Sequence, residues 1–512
     1  MSTGVAIRKN EYYDSVYLMG INNRIMKEKG VIQSAVLMGS DANKEVLREL
    51  KFPETEFAKA SANDLIVGVI AERQEIVDYV LGNLTIWLTE VENRKPQSEF
   101  HTLSEAIRNH PEANLVSISV PGEYAALEAR KALESGLNVF LFSDNVSIED
   151  EISLKKYAQS KGLLVMGPDC GTSIIGGMGL GFANVVRRGS IGVIAAAGTG
   201  LQEFTCMVHN AGYGISHAIG TGGRDLSDAI GGITTFSALD LLANDPNTQV
   251  VVILSKPPGL DTLKKLVNHF RSIKKPVVGC FIGIEGKIDG EDSLFHRAKV
   301  IDEAVEITIS QIGGNLPNRP NGIINYHRVK KGKRKDEKYL RGVFAGGTFC
   351  FQAQQILKNN GIRVYSNTPI EKSLKLPHPD ISKENSIVDM GDEYYMVGRP
   401  HPMIDSSQRA LRILREARDP EVAVILLDII LGYNSSMDPV GDLADAILEA
   451  HKLADQQGRS LEIVTSICGT NDDPQDLNLQ TQMLHDCGSV VFQSNAEAVR
   501  YCIGLLNEVN DA

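Results

Sequence analysis

Short apolar segments alternate with longer amphipathic segments over most of the chain. Runs of β-branched residues are typical of strands, and apolar residues three and four positions apart are typical of helices. Strands are predicted at 12–18, 31–37, 65–70, 114–120, 138–142, 163–166, 190–195, 250–254, 276–281, 342–345, 362–365, 422–427, 461–466 and 489–493. Most are apolar on both faces, which favours parallel sheets covered by helices. The pattern therefore predicts an α/β fold made of βα repeats.

Two stretches of the chain repeat the same pattern. Each has a predicted strand that ends in a Gly-Thr turn, at Thr199 in the first and Thr348 in the second. An amphipathic helical run follows, and it ends 14 positions after the glycine of the turn, at Gly212 and Gly361. Two more landmarks recur in the same order: Gly-Arg at 223–224 and 398–399, and Asp-Pro before an apolar strand at 245–246 and 419–420. The second copy has an insertion of about 26 residues before its Gly-Arg, because the offset between copies grows from 149 to 175 positions.

A charged stretch separates the two copies. Residues 327–338, HRVKKGKRKDEK, have no apolar face, and we interpret them as a solvated linker and not as a nucleic-acid site. A chain of 512 residues suggests about three domains. With a softer boundary at 175–181, the predicted domains are 1–185, 186–320 and 341–512, and the linker is 321–340.

Composition excludes several classes of protein. The net charge of −12 argues against nucleic acid as a partner, although backbone amides can still bind a small anionic metabolite. No uncharged apolar run approaches the ~20 residues of a membrane helix, and the N-terminus lacks the order of a signal peptide. The seven cysteines contain no CxxC pair, so we predict neither a disulfide framework nor a metal site. These features predict a cytoplasmic protein.

The Gly-Thr turns are candidates for binding a phosphate group. The first N–H groups of a helix have no partner within it, and the helix dipole adds about half a positive charge there. Glycine lets an anion approach these amides, and threonine adds a hydroxyl donor. The candidate residues are Gly198, Thr199, Gly200, Gly346, Gly347 and Thr348. The alternative is that the glycines serve only to make the bends.

The Gly-Arg loops supply further candidates. Arg224 and Arg399 carry fork-like donors for a carboxylate or phosphate, and Gly222, Gly223 and Gly398 lie beside them. Alternatively, each arginine pairs with the aspartate near it, Asp225 or Asp405, and only shapes its loop. His401, between two prolines, is a candidate for binding an anion or carrying a proton, or else for a structural role.

These motifs resemble the succinyl-CoA synthetase α-subunit superfamily, and within it the FdrA family of acyl-CoA-synthetase-like proteins. The matching segments are MGPDCGTSI (166–174), AAAGTGLQEF (195–204), GTGGRDLSD (220–228), NDPNTQVVVILSKPPG (244–259), GGTFCFQA (346–353), GRPHPMID (398–405) and DPEVAVILLDIILG (419–432). The resemblance covers residues from about 114 to the C-terminus. It implies a degenerate CoA-binding Rossmann-like domain followed by two flavodoxin-like CoA-ligase-type domains. It also implies that the helices after Thr199 and Thr348 share one phosphoryl site, with Asp169 and Cys170 among the binding residues.

The sequence departs from the synthetase pattern at three places. No G-x-T-G-x-x-G turn occurs in residues 1–110, which does not support CoA binding. His296 is the nearest counterpart of the phosphorylated histidine, but the glycines around it are missing. Lys256 stands where the synthetases have a glutamate that orients that histidine. No stretch resembles an ATP-grasp domain, so we expect partner subunits, together with a homo-oligomer.

The resemblance implies a function in handling an acyl phosphate. FdrA proteins are associated with allantoin catabolism, which implies a subunit of an oxamate carbamoyltransferase. That enzyme interconverts oxalurate and phosphate with oxamate and carbamoyl phosphate, and here Arg224, Lys256, Arg399 and His401 would be the catalytic candidates. Carbamoyl phosphate and phosphate are then substrates, and no cofactor is required. One alternative is an NDP-forming acyl-CoA synthetase that acts with an ATP-grasp partner. Another is a non-catalytic scaffold or sensor subunit.

Overall fold

The computed structural model describes residues 2–11, 13, 15–92, 100–284, 286, 288, 294–316, 337–396 and 399–510. The chain forms two compact units: Met1–Thr102 with Glu393–His401, and Leu103–Asp392 with Pro402–Ala512. Within the described residues, no helix is both long enough and apolar enough to cross a membrane. The predicted linker at 321–340 lies outside the described residues up to position 336.

The smaller unit contains an antiparallel sheet covered by helices. Its elements are β1 (Ser2–Arg8), α1 (Ser15–Met26), β2 (Val31–Met38), α2 (Asp41–Glu49), α3 (Glu54–Phe57), β3 (Leu65–Ala71) and α4 (Gln74–Glu92). The strand order is β1-β3-β2, and β3 runs antiparallel to both neighbours. The strand predicted at 12–18 is wrong. Leu18, Ile21 and Ile25 recur at helical spacing, and their burial places one face of α1 in the core.

The larger unit begins with a small parallel sheet. Its elements are α5 (Leu103–Asn109), β4 (Leu115–Ile118), α6 (Gly122–Glu134), β5 (Asn138–Leu141), α7 (Ile148–Ser160) and β6 (Val165–Met166), with strand order β4-β5-β6. The structure therefore divides the predicted first domain, 1–185. Residues 2–71 pair only among themselves in an antiparallel sheet, whereas 115–166 form the parallel, Rossmann-like part.

The first flavodoxin-like domain follows. Its elements are β7 (Thr172–Ile175), β8 (Met178–Gly181), β9 (Arg188–Ala195), α8 (Gly198–Asn210), β10 (Ile215–Gly220), α9 (Ile233–Asn244), β11 (Val250–Ser255), α10 (Leu260–Phe270), β12 (Val277–Phe281), β13 (Phe295–Ala298) and α11 (Ile301–Gln311). The sheet order is β13-β12-β11-β9-β10-β7-β8. Its five parallel strands, β9 to β13, have the flavodoxin order 2-1-3-4-5. The antiparallel hairpin β7-β8 extends one edge.

The second flavodoxin-like domain repeats this topology. Its elements are β14 (Tyr339–Phe344), α12 (Gly347–Asn359), β15 (Tyr365–Ser366), a 3-10 turn (Lys372–Leu374), β16 (Ser386–Asp389), α13 (Glu393–Met396, in the smaller unit), α14 (Ser407–Arg418), β17 (Val422–Ile430), α15 (Gly441–Gln456), β18 (Glu462–Cys468), α16 (Leu477–Asp486), β19 (Val490–Phe492) and α17 (Asn495–Asn510). The order is β15-β16-β14-β17-β18-β19. Apart from the short edge strand β15, this is again 2-1-3-4-5, so the predicted α/β class with parallel sheets is confirmed.

Local geometry follows the sequence repeat closely. Helices α8 and α12 each contain 13 residues. Each is followed by a left-handed glycine, Gly212 with φ 94° and Gly361 with φ 74°, as expected at the position after a helix cap. Asp245 and Asp419 both cap the C-terminus of the next helix, with φ of −70° and −72°. The insertion in the second copy holds β15 and the 3-10 turn.

Candidate functional site

The first turns of α8 and α12 contact each other. Thr199 Oγ1 accepts a hydrogen bond from the Thr348 amide at 3.3 Å. A Cβ added to Gly200 would lie 2.9 Å from Thr348 Cγ2, and one added to Gly346 would lie 3.0 Å from Thr199 Cγ2. Each threonine thus rests against a glycine of the other domain. The two helix starts that the resemblance assigns to a single site are therefore adjacent.

The start of α8 presents unused amides. The first helical bond is donated by the Leu201 amide to Ala197 O, at 2.9 Å. The amides of Gly198, Thr199 and Gly200 precede it, and in the part of the chain that the structure describes none of them has an acceptor. A Cβ at Gly198 would meet only Thr172 Oγ1, at 3.8 Å. Because the fold itself leaves room there, the glycine keeps the amides accessible to an external anion.

The start of α12 already faces a carboxylate of its own domain. Asp428 accepts hydrogen bonds from the amides of Ala345 at 2.8 Å and Gly346 at 2.7 Å. Arg409 Nη2 donates to the same carboxylate at 2.7 Å, and both charged side chains are buried. The turn before α12 is therefore held by a side chain and not by an external ligand.

A second carboxyl group lies beside the same helix start. Asp389 is the last residue of β16, and a Cβ added to Gly347 would lie 2.8 Å from Asp389 Oδ2. Burial, together with the charges of Asp392 and Asp428, raises the pKa of Asp389 to about 7. Lys256 and a hydrogen bond from the Gly391 amide, at 3.0 Å, act in the opposite direction. Asp389 can therefore gain or lose a proton near neutral pH.

Lys256 comes from the first flavodoxin-like domain. It follows directly after β11, it is exposed, and its Nζ lies 5.5 Å from the centre of the Phe351 ring on α12. Its charge also lowers the pKa of Asp169. The charge of Lys256 thus acts on both Asp169 and Asp389, and its catalytic role stays a prediction.

Asp169 lies in a loop that packs on the Gly-Thr-Gly-Gly-Arg loop. A Cβ at Gly222, which has φ 85°, would lie 2.3 Å from Pro168 O, so the two main chains are in close contact. Desolvation by the surrounding protein, together with the charge of Asp144, raises the pKa of Asp169 to about 6. The residue nevertheless keeps contact with solvent. A Cβ at Gly223 would lie 3.6 Å from Asp169 Oδ2. Asp169 is thus a second carboxyl group that titrates near neutrality.

Cys170 lies in the core. Its side chain is 3% exposed, and its Sγ lies 3.6 Å from Thr172 O. Burial raises its pKa to about 11, which keeps the thiol neutral. The predicted role of Cys170 in binding phosphate is not supported by this position.

Arg224 pairs across the larger unit and not with its neighbour. Its Nη2 lies 2.9 Å from Glu151 Oε2 and donates to Val146 O at 2.8 Å. Asp225 is fully buried and binds Lys155 Nζ at 2.7 Å. The alternative in which Arg224 pairs with Asp225 is therefore wrong. The guanidinium remains 45% exposed, and its charge lowers the pKa of Asp169.

Within the larger unit, His296 is not brought together with these residues. His296 is on β13, opposite Val278 of β12, and three strand spacings of about 4.8 Å separate β13 from β9. It therefore lies away from Thr199. Arg399 and His401 belong to the smaller unit, where their roles stay predictions. Gly398 lies outside the described residues.

Sequence reasoning missed Asp389. The signal was present, because SIVD (386–389) is an apolar strand that ends in a carboxylate. Ligands of open α/β sheets bind at the carboxyl ends of the strands, so a charged residue at that place is a candidate site residue. The short strand was not recognised, and its last residue was overlooked with it.

Comparisons with known proteins bear on both halves of the chain. Residues 343–503 match the CoA-ligase family model, and residues 1–103 match a model described as the AllF heavy metal-associated domain. The chain is 40% identical over 503 residues to the protein YahF of Escherichia coli strain K12, covering 97% of each. It is 25% identical over 242 residues to the succinate–CoA ligase (ADP-forming) α-subunit of Methanothermobacter thermautotrophicus, covering 45% of this chain and 79% of that one. An acetyl-CoA synthetase structure from Candidatus Korarchaeum cryptofilum, in complex with phosphate and ADP, aligns with a TM-score of 0.33 and 16% identity, over 78% of this chain and 83% of that one.

The residues of the N-terminal unit do not fit the heavy-metal description. Residues 1–103 contain no cysteine and one histidine, His101. Soft metals are bound by thiolate, thioether or imidazole groups, and of these the segment has only four methionines and His101. Across the residues that the structure describes, no group of three or more His, Cys, Asp or Glu side chains is suited to hold a metal. The match to YahF over nearly the full length, with the CoA-ligase model and the succinate–CoA ligase relative, shows that the chain belongs to the FdrA-like family of acyl-CoA synthetases.

Proposed function

We propose that the chain is the acyl-phosphate-binding subunit of an NDP-forming acyl-CoA-ligase-type enzyme, acting with an ATP-grasp partner. One observation carries the proposal: the first turns of α8 and α12 contact each other through Thr199 and Thr348, while the amides of 198–200 have no acceptor among the described residues. The similarity to a succinate–CoA ligase α-subunit supports the reaction class. We refer to the amides of 198–200, Lys256, Asp169 and Asp389 together as the phosphate cradle.

In this proposal the cradle stabilises the leaving phosphate. An acceptor nucleophile attacks the acyl carbonyl, the bond from the carbonyl carbon to the phosphate oxygen breaks, and the electron pair leaves with the phosphate. Fixed amides at the start of α8 and the charge of Lys256 offset the negative charge that develops on it. The proton released by the acceptor passes to a carboxylate, and Asp389 suits this role because its pKa of about 7 permits both states at neutral pH.

A second candidate is direct carbamoyl transfer between carbamoyl phosphate and oxamate, giving oxalurate and phosphate. The observation that favours it concerns the phosphohistidine of the synthetases. Residues 282–294, which connect β12 to β13, contain no histidine, and Lys256 replaces the glutamate that would orient one. A transfer between two bound substrates needs no covalent phosphoenzyme, and correct juxtaposition supplies much of its rate.

Calorimetric titration of the full chain with phosphate, carbamoyl phosphate and CoA tests the proposal. We expect phosphate to bind, and Thr199→Val to weaken it about tenfold or more, because the substitution removes a hydroxyl at the helix contact. Thr481→Val on α16 is the matched control and leaves binding unchanged. Absence of phosphate binding to the wild-type chain contradicts the proposal.

Activity then separates the two candidates. Turnover of oxalurate and phosphate to carbamoyl phosphate, by the chain alone or with neighbouring gene products, supports carbamoyl transfer. CoA binding, together with ADP release from ATP, CoA and a carboxylic acid in the presence of an ATP-grasp partner, supports the ligase. If neither assay shows turnover while phosphate still binds, the chain is a sensor and both catalytic proposals fail.

A further inference from the structure

A cavity of about 680 Å³ lies between the two flavodoxin-like domains, apart from the residues assigned to the phosphate cradle. One wall follows the carboxyl end of β12, at Ile282 and Gly283. Another wall is formed by Arg297 and Lys299, at the end of β13. Helix α12 closes the opposite side. Strand ends that face a helix of a second domain are a common setting for small-molecule sites.

The described charged residues that line the cavity are all positive. Arg297, Lys299 and Lys358 line it, and none of its described lining residues is an aspartate or glutamate. Lys358 is paired with Glu371, at 3.1 Å. In the part of the chain that the structure describes, Arg297 and Lys299 have no carboxylate within salt-bridge distance. Among the described residues, these two cations are uncompensated and no acid lines the cavity, an arrangement that attracts an anion.

The guanidinium of Arg297 is held in place by the main chain. Its Nη2 donates a hydrogen bond to Ile284 O. Its Nε is buried and has no hydrogen-bond partner among the residues that the structure describes. A buried N–H without an acceptor is destabilising, so retaining one beside a cavity is explained if a ligand supplies the acceptor. The Arg297 guanidinium is therefore fixed in position and has an N–H donor that no described residue uses.

The face of α12 that lines the cavity is mostly polar, whereas helix faces between packed domains are usually apolar. Gln352, Gln355, Ile356 and Asn359 have the spacing i, i+3, i+4 and i+7, so they form one stripe along α12. Gln355 donates to Asn359 Oδ1 at 2.8 Å. The stripe supplies amide groups for hydrogen bonding to a polar ligand, and Ile282 and Ile356 supply an apolar surface for its body.

We propose that this cavity is a second binding site, which takes a small metabolite whose carboxylate or phosphate group binds Arg297 and Lys299. The body of the metabolite lies along the amide stripe of α12. The site is separate from the phosphate cradle, since the two share no residue. It depends neither on CoA-ligase activity nor on carbamoyl transfer.

Titration of the full chain with inorganic phosphate, followed by calorimetry, tests this site. The wild-type chain is expected to show two classes of phosphate site. Arg297→Gln/Lys299→Gln weakens one class at least tenfold and leaves the cradle class intact, while Thr199→Val has the converse effect. Lys299→Gln alone changes an exposed residue and weakens the same class about threefold. Lys264→Gln/Lys265→Gln on α10 has the same loss of charge as the double variant and leaves both classes unchanged.

Three results would overturn the proposal. The first is a single class of phosphate site in the wild-type chain that Thr199→Val abolishes. The second is equal phosphate binding by the Arg297→Gln/Lys299→Gln chain and its α10 control. The third is a lowered melting temperature of the Arg297→Gln/Lys299→Gln chain without a change in either class of phosphate site. That result would show that the guanidinium only stabilises the fold. Loss of the cradle class alone would count against the proposed function and not against this site.

Discussion

The two flavodoxin-like domains have the same strand order but differ in chemistry beside the central strand. In the first domain Ile194 of β9 is flanked by Ile219 of β10 and Ile253 of β11. In the second domain Phe344 of β14 pairs with Asp389 of β16. Asp428 of β17 lies on the other side, where it binds the amides that follow Phe344. Where the first domain has two isoleucines, the second therefore has two aspartates.

Because of this difference, the two domains contribute different chemical groups at the contact between α8 and α12. In the first domain the amide after the central strand, that of Ala196, donates to a strand carbonyl, Leu254 O, at 3.0 Å. The first turn of α8 contains no acidic residue of its own. In the second domain the side chain of Asp428 replaces that carbonyl and requires Arg409 for neutrality. At the helix contact the first domain thus supplies open donors, and the second supplies Asp389, a carboxyl group that titrates near neutral pH.

The largest expected effect comes from breaking the buried ion pair of the second domain. Arg409→Met leaves Asp428 buried without its cation, and we expect the free energy of unfolding to fall by about 3–5 kcal/mol. Arg415→Met on the same helix is the control, because Arg415 is 57% exposed and its loss costs about 0.5 kcal/mol or less. Chemical denaturation measures both. Equal stability of the two variants would show that Asp428 does not depend on Arg409.

The contact between the helix starts is tested by a pair of alanines. Alanine is favoured over glycine within a helix by about 1 kcal/mol, so Gly198→Ala, whose Cβ has room, is expected to stabilise the chain. Gly200→Ala places a methyl group 2.9 Å from Thr348 Cγ2, and overpacking of this kind costs about 1–3 kcal/mol. Denaturation should therefore rank Gly198→Ala above Gly200→Ala. Equal stabilisation would mean that the two domains are loosely apposed.

Much of the fold could be predicted, because the repeat carries physical signals. The glycines that end α8 and α12 have left-handed backbones, and such positions strongly favour glycine. The strand predicted at 12–18 failed for a physical reason as well. Tyr13 and Tyr17 stack with their ring centres 4.8 Å apart, and aromatic residues suggest a strand until the spacing of Leu18, Ile21 and Ile25 is weighed.

The candidate site was harder to predict than the fold. The Gly-Thr turns could be proposed from the sequence because their chemistry is local, whereas the pairing of Arg224 with Glu151 joins residues 73 positions apart. No local pattern encodes such a contact. Asp389 ends the apolar strand β16, and Asp428 interrupts the apolar strand β17. Their roles can be inferred only when the order of the strands in the sheet is known, because that order places both residues beside the start of α12.

The proton of Asp389 links stability to pH. Its pKa is about 7 in the folded chain and about 3.9 when unfolded, so between these values the folded state holds a proton that the unfolded state has lost. Stability is then greatest below the unfolded pKa and is lost as the pH rises towards 7, by at most about 1.4 kcal/mol per pH unit for this group. Asp389→Asn should reduce that slope, and Asp486→Asn, at an exposed position, should not. An unchanged slope in Asp389→Asn would mean that Asp389 is ionised throughout.

The smallest expected effect on stability comes from Lys256, and it tests whether the charge of the first domain influences the pKa of Asp389 in the second. The side chain is exposed, so Lys256→Gln should change the free energy of unfolding by less than about 0.5 kcal/mol. Its charge opposes the rise in the pKa of Asp389 that burial causes, so removing it should move the midpoint of the pH-dependent loss of stability upward. Phosphate affinity should fall severalfold at the same time.

A double-mutant cycle with Asp389→Asn separates the effect of Lys256 on Asp389 from its effect on Asp169. Any shift of the pH midpoint that persists in the Asp389→Asn background belongs to Asp169. A midpoint that stays in place in every background would mean that the cation of the first domain does not govern ionisation in the second, and the cradle would then be two independent half-sites.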